Sequence, residues 1–146
     1  MAEKRVLLLS PNPIDFHNNE SGGREGDEGV RVFVAQGKAF EHLADPIKVI
    51  RRVWNKVEEG KFFPIDLAVV FLGDDNKDVC FSVGKLMEHK VSPDRVIFVF
   101  CFCRESFKER ILEENGYGSS RVINCDCGGH QEMGKIYRQA MLGILP

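Results

Sequence analysis

The chain has 146 residues, 43% hydrophobic and 29% charged, a globular balance that excludes collagen, coiled coil and disorder throughout. That length fits one domain, so 1–146 is expected to form a single unit with a real core. With 20 Lys+Arg against 22 Asp+Glu the net charge is −2, so no global basic field recruits nucleic acid and no such partner is expected.

The first strand is expected over Arg5–Ser10, where Val6–Leu9 is unbroken apolar sequence. That run is shorter than a secretory h-region, and the longest apolar stretch, Val96–Cys103, falls short of the roughly 20 residues that span a bilayer. The chain is therefore read as cytoplasmic, without membrane contact, and its five cysteines as reduced thiols rather than a disulfide framework. Residues 11–29 are polar and glycine-rich, a long loop of the kind that covers a ligand or simply moves at the surface. Val30–Ala35 favours a strand because β-branched residues lose rotamer freedom in a helix, although Val30, Phe33, Val34, Gly37 and Phe40 also fit helical spacing. A turn at Gln36-Gly37 and a short helix over 38–44 are expected to follow.

Asp45-Pro46 pairs an N-cap acid with a first-turn proline. Ile47, Ile50, Val53, Trp54 and Val57 then share a helical face, and Gly60 ends it. A strand over 66–72 precedes a helix opening at Asn76 or Asp78, with Val79, Val83, Leu86 and Met87 inward and Cys80 on or beside that stripe, expected in the core. A strand over 95–102 precedes a helix in which Ser106 and Glu109 have capping-box spacing and Asn115-Gly116 gives the stop. The last strand is expected over 121–126 and the last helix over 130–144. Phe62-Phe63 has no evident place.

None of the runs at 5–10, 66–72, 95–102 and 121–126 alternates with polar residues, as expected for strands covered on both faces of a parallel sheet. These four should be mutually parallel and central. The pattern predicts a three-layer α/β domain with a mainly parallel five-stranded sheet, and it resembles the flavodoxin-like or Rossmann-like architectures. Such a resemblance names no function.

In open parallel sheets ligands bind beyond the carboxyl ends of the strands, where the strand order reverses. The residues expected there are Ser10, Asn12 and His17, the turn Ser21-Gly22-Gly23-Arg24, the pair Asp74-Asp75 and the turn Gly128-Gly129-His130. Glycines let backbone N–H groups approach an anion, and arginine grips phosphate or carboxylate with two parallel bonds. Asp74 and Asp75 suit Mg²⁺ with a phosphate, or equally cap the next helix. Gly128–His130 opens a helix whose free N–H groups suit an anion, or is a permissive turn. Asp15-Phe16-His17 resembles the start of the cobalamin-binding D-x-H-x-x-G motif, but Glu20 stands where that motif needs glycine, and the reading is not adopted. No nucleotide fingerprint, nucleophile elbow or H-E-x-x-H motif is present.

The cysteines are the most unusual feature. Cys101-x-Cys103 and Cys125-x-Cys127 end two strands expected to be neighbours, with His130 close behind. They read as packed thiols, a Zn or Fe site completed by His130, or a redox pair. The leading expectation is a small anionic or phosphorylated ligand at the carboxyl edge, with nucleotide-like compounds among the candidates. A regulatory or protein-interaction domain without catalysis is the runner-up and a thiol–metal module the third. Catalysis, cofactor and oligomeric state stay open.

Overall fold

The computed structural model describes residues 4–11, 22–25, 30–38, 45–72, 76–101 and 105–125. In chain order the elements are β1 (Lys4–Ser10), β2 (Gly22–Glu25), β3 (Val30–Gln36), α1 (Pro46–Glu59), β4 (Leu67–Leu72), α2 (Asn76–Glu88), a 3₁₀ turn (Pro93–Arg95), β5 (Val96–Cys101), α3 (Glu105–Glu114) and β6 (Arg121–Cys125). The sheet order is β2-β3-β1-β4-β5-β6. β3, β1, β4, β5 and β6 are parallel, and β2 joins antiparallel to β3.

The four runs expected to be parallel are parallel. β1, β4 and β5 are interior, whereas β6 stands at the end of the order. Val30–Gln36 is a strand paired along its whole length with β1, so β-propensity prevails over the competing helical spacing. The short helix expected over 38–44 and the last helix over 130–144 fall outside the described residues. Among the described residues no helix is long and apolar enough to cross a membrane.

The registers sort the strands into two faces. Leu7, Leu9, Phe33, Ala35, Ala68, Val70 and Phe98 share one face and pack with Ile50, Val53, Trp54 and Val57 of α1 and Val79, Val83 and Leu86 of α2. Val6, Leu8, Val32, Val34, Val69, Phe71 and Val99, on the other face, are buried as well. Burial of both faces is what a three-layer arrangement requires, and it explains the absence of alternation in these strands. Trp54 is wholly buried, and its indole N–H donates to Ser82 Oγ at 3.1 Å. A buried aromatic of this size removes roughly 150–250 Å² from water, about 4–6 kcal/mol of transfer free energy as an upper bound.

The helix ends follow the sequence closely but not everywhere. Asp45 caps α1 through Oδ1, which accepts from the Lys48 N–H at 3.4 Å. Gly60 follows as C-cap, where a Cβ would stand 2.7 Å from the Phe33 ring. α3 closes with Gly116 at φ 84°, its N–H on the Glu113 carbonyl and the Tyr117 N–H on the Leu112 carbonyl, a Schellman motif with glycine in the left-handed position. α2 closes the same way, but the left-handed residue is Lys90 at φ 57°.

Three placements differ from expectation. Met87 and Cys80 are exposed, because the buried stripe of α2 runs through Val79, Ser82, Val83 and Leu86 and leaves both beside it. α3 already includes Glu105, so Ser106 lies inside the first turn and is not the cap. Phe62-Phe63 now has a place: Phe62 packs on Phe33 at 5.3 Å between centroids, and Phe63 stacks on His89 at 3.8 Å.

Candidate functional site at the carboxyl edge

The chain leaves β1, forms β3 on one side of it, and then crosses to form β4 on the other. The reversal of strand order therefore lies between β1 and β4, where parallel α/β sheets open a crevice at their carboxyl ends. Ser10 ends β1 and Leu72 ends β4. Ser10 is fully buried and is the register partner of Gln36, also buried. The Gly37 N–H donates to the Ser10 carbonyl at 3.0 Å. A Cβ on Gly37 would lie 2.1 Å from the Pro11 carbonyl oxygen, so only glycine lets the chain leaving β3 pass this close to the chain leaving β1.

Two of the described helices begin at the same edge. α2 begins at Asn76 after β4, and α3 begins at Glu105 after β5. Helix N-termini carry free N–H groups and a partial positive charge. Lys108, in the first turn of α3, is only 2% exposed, and its Nζ lies 5.5 Å from the centroid of Phe100, one residue before the end of β5. Ammonium burial is costly and persists where it is matched by polar or aromatic partners. Sequence reasoning passed over Lys108, since it looks like any solvated helix lysine. The available signal was its spacing from Ile111 and Leu112, which puts it at the margin of the inward face.

The expected site residues are distributed unevenly. Ser10 ends β1, beside the reversal of strand order. Gly22, Gly23 and Arg24 belong to β2 rather than to a loop, which corrects the reading of 11–29 as continuous loop. Their low β-propensity concealed this, yet a four-residue connection containing Gly26 and Gly29 ahead of Val30 is itself a hairpin signal. Arg24 pairs with Val32, four residues short of Gln36, so its backbone is set back from the carboxyl edge by roughly 13 Å at about 3.3 Å per residue. Cys101 and Cys125 are register partners at the ends of β5 and β6, and those strands are neighbours as expected. Asn12, His17, Ser21, Asp74, Asp75, Cys103, Cys127, Gly128, Gly129 and His130 lie outside the described residues.

A second polar cluster, not anticipated from sequence, occupies the opposite edge. Glu58 near the end of α1 accepts from Lys85 Nζ at 2.7 Å through Oε1, and its Oε2 lies 3.0 Å from His89 Nε2. Lys85 also reaches Glu88 at 3.7 Å. Hydrogen bonding from Lys85 holds the Glu58 carboxyl below its ordinary range against the opposing effect of burial, and His89 adds to the lowering. The same pairing raises Lys85. Arg5 ties the cluster to the sheet: its Nη1 donates to the Phe63 carbonyl at 2.7 Å and its backbone N–H to Asp66 Oδ2 at 2.8 Å. Ligand atoms of Glu58, Glu88 and His89 lie within 4.8 Å of one another, a spacing that could hold a cation. Lys85 already supplies one there, so the arrangement works as an ion-pair network joining the ends of α1 and α2. The signal in the sequence was topological: both helices follow parallel strands, so their C-termini meet at the amino edge.

No protein-family model, curated protein or solved structure matches this chain, so it is the fold and the chemistry of these edges that carry the functional argument.

Proposed function

We propose that the chain binds a small anionic or phosphorylated ligand in the crevice between β1 and β4 at the carboxyl edge of the sheet. The observation that carries the reading is the strand order, which puts the reversal beside Ser10. The buried Lys108 ammonium and the N-termini of α2 and α3 support an anion over a neutral ligand. The segments that follow the strand ends, with Asn12, His17, Asp74, Asp75 and the Gly128–His130 turn, supply the remaining contacts in this reading. Asp74 and Asp75 carry Mg²⁺ with a phosphorylated ligand. A cytoplasmic setting suits such a ligand.

Calorimetry with ATP, GTP and inorganic phosphate, with and without Mg²⁺, tests the proposal. Lys108→Met keeps the aliphatic stem and removes the charge. It should weaken binding by about 1.5–3 kcal/mol, the range for hydrogen bonds to charged groups, or roughly 10–150-fold. Asp74→Asn should weaken binding only in Mg²⁺ and strengthen it without metal. Arg24→Ala shows whether β2 contributes. If none of these compounds binds, or if Lys108→Met binds as tightly as wild type, the reading falls and the interaction-domain alternative takes its place.

A further inference from the structure

We infer that Cys101 and Cys125 form a redox-active dithiol that closes to a disulfide across β5 and β6. The inference is independent of the anion-binding proposal. β5 and β6 are parallel neighbours paired from Ile97↔Arg121 to Cys101↔Cys125. Hydrogen-bonded strands lie about 4.7–4.9 Å apart, and disulfides join Cα atoms about 4.4–6.8 Å apart. The spacing of hydrogen-bonded strands thus falls inside the Cα range that a disulfide joins. Register partners in a parallel pair also occupy the same face of the sheet.

Their place along the strands matters as much as their spacing. Both are the last residues of their elements, at the carboxyl edge. A bridge in the middle of a ladder would have to fit the rigid spacing of the strands on each side. Here the described ladder lies on the amino side of the pair, from Ile97↔Arg121 onward. Cys80, the remaining cysteine on a described helix, is exposed on α2 and belongs to neither strand. A bridge from 101 to 125 would fasten β5 to β6 around α3, which begins at Glu105 and lies between them in sequence. Oxidation would thus clamp the part of the edge that carries Lys108.

The exchange needs a low-molecular-weight disulfide as oxidant, such as glutathione disulfide. One thiolate attacks a sulfur of that disulfide, forming a mixed disulfide and releasing one glutathione thiolate. The second cysteine's thiolate attacks the protein sulfur of the mixed disulfide and releases the second glutathione. Two electrons pass from the protein dithiol to the reagent, and the two protons lost by the cysteines are taken up by the departing thiolates.

The test uses the full chain in glutathione redox buffers, read by intact mass. Wild type should lose two hydrogen atoms per chain, keep no glutathione beyond one adduct on the exposed Cys80, and recover its mass in excess dithiothreitol. A Cys103→Ser/Cys127→Ser variant should do the same. Adding Cys101→Ser or Cys125→Ser to that background should stop the reaction at the glutathione adduct. Fragmentation of the linked peptides from wild type should place the sulfurs at 101 and 125, which keeps the test valid should the double variant not fold. Adducts without closure in wild type, closure lost with Cys103 and Cys127, or a bridge that survives Cys101→Ser would each overturn the inference.

Discussion

Replacing Glu58 with glutamine probes how α1 and α2 are joined at the amino edge. The change keeps the shape of the side chain and removes the charge that faces Lys85 Nζ at 2.7 Å and His89 Nε2 at 3.0 Å. The two partners of the shorter pair are 27% and 19% exposed, so the interaction stands between two known regimes. Exposed pairs contribute about 0.2–1 kcal/mol and hydrogen bonds to charged groups about 1.5–3 kcal/mol. Glu58→Gln should therefore cost about 1–2 kcal/mol at neutral pH, or roughly 2–8 °C in Tm for a chain of this size. The pH dependence follows from the shifts. The carboxyl of Glu58 is held below its ordinary 4.5, so its contribution is full above that value and is lost as pH falls through the lowered one. Lys85 is raised above 10.5, so its share is full below that value and is lost as pH rises through the raised one. The gap between wild type and Glu58→Gln in urea unfolding should be widest between those limits and should narrow at pH 3, well into the acid limb. A gap at pH 3 as wide as at pH 7 would refute the ion-pair account and assign the cost to lost packing. A Glu58/Lys85 double-mutant cycle with no coupling at low salt would refute it as well.

Ser82→Ala should cost about 1–3 kcal/mol because it orphans the buried Trp54 N–H; in urea titration, Trp54→Phe combined with Ser82→Ala should cost less than the two single changes summed. Lys90→Gly should raise stability by up to about 1 kcal/mol by relieving the left-handed conformation at the end of α2, and an unchanged midpoint would mean the lysine stem compensates through packing. Gly116→Ala at φ 84° should lower thermal stability by about 1 kcal/mol. Lys108→Met should alter anion affinity at the carboxyl edge without changing the far-UV spectrum.

The parallel core was legible because Val6–Leu9, Leu67–Leu72 and Val96–Phe100 are apolar on both faces, and only a sheet covered twice buries such runs. Caps were legible where one residue type has one local use, as at Asp45, Gly60 and Gly116. Edges were harder. β2 is held by the free side of β3, so its sequence needs little β-propensity of its own, and Gly22-Gly23-Arg24 reads as loop. The exposure of Cys80 and Met87 turns on a rotation of one helix position, which period alone does not fix. The place where the strand order reverses was legible from the order of strands and helices, and Ser10, which ends β1, lies beside it. Lys108 and the Glu58–Lys85–His89 network were not, because charged residues on amphipathic helices look alike until the neighbouring elements are in place.

The place of β1 in the middle of the sheet sets the timetable of synthesis. β1 needs β3 on one side and β4 on the other, and the second neighbour is finished only at Leu72. Between Ser10 and Leu72 a ribosome adds about sixty residues, roughly 3–12 s at about 5–20 residues per second. For that interval Val6–Leu9 has at most one side occupied, and the nascent chain carries an open apolar ladder. A ribosome-stalled series should show the Arg5–Phe63–Asp66 ties, and protease resistance of β1, arriving together once residue 72 clears the exit tunnel.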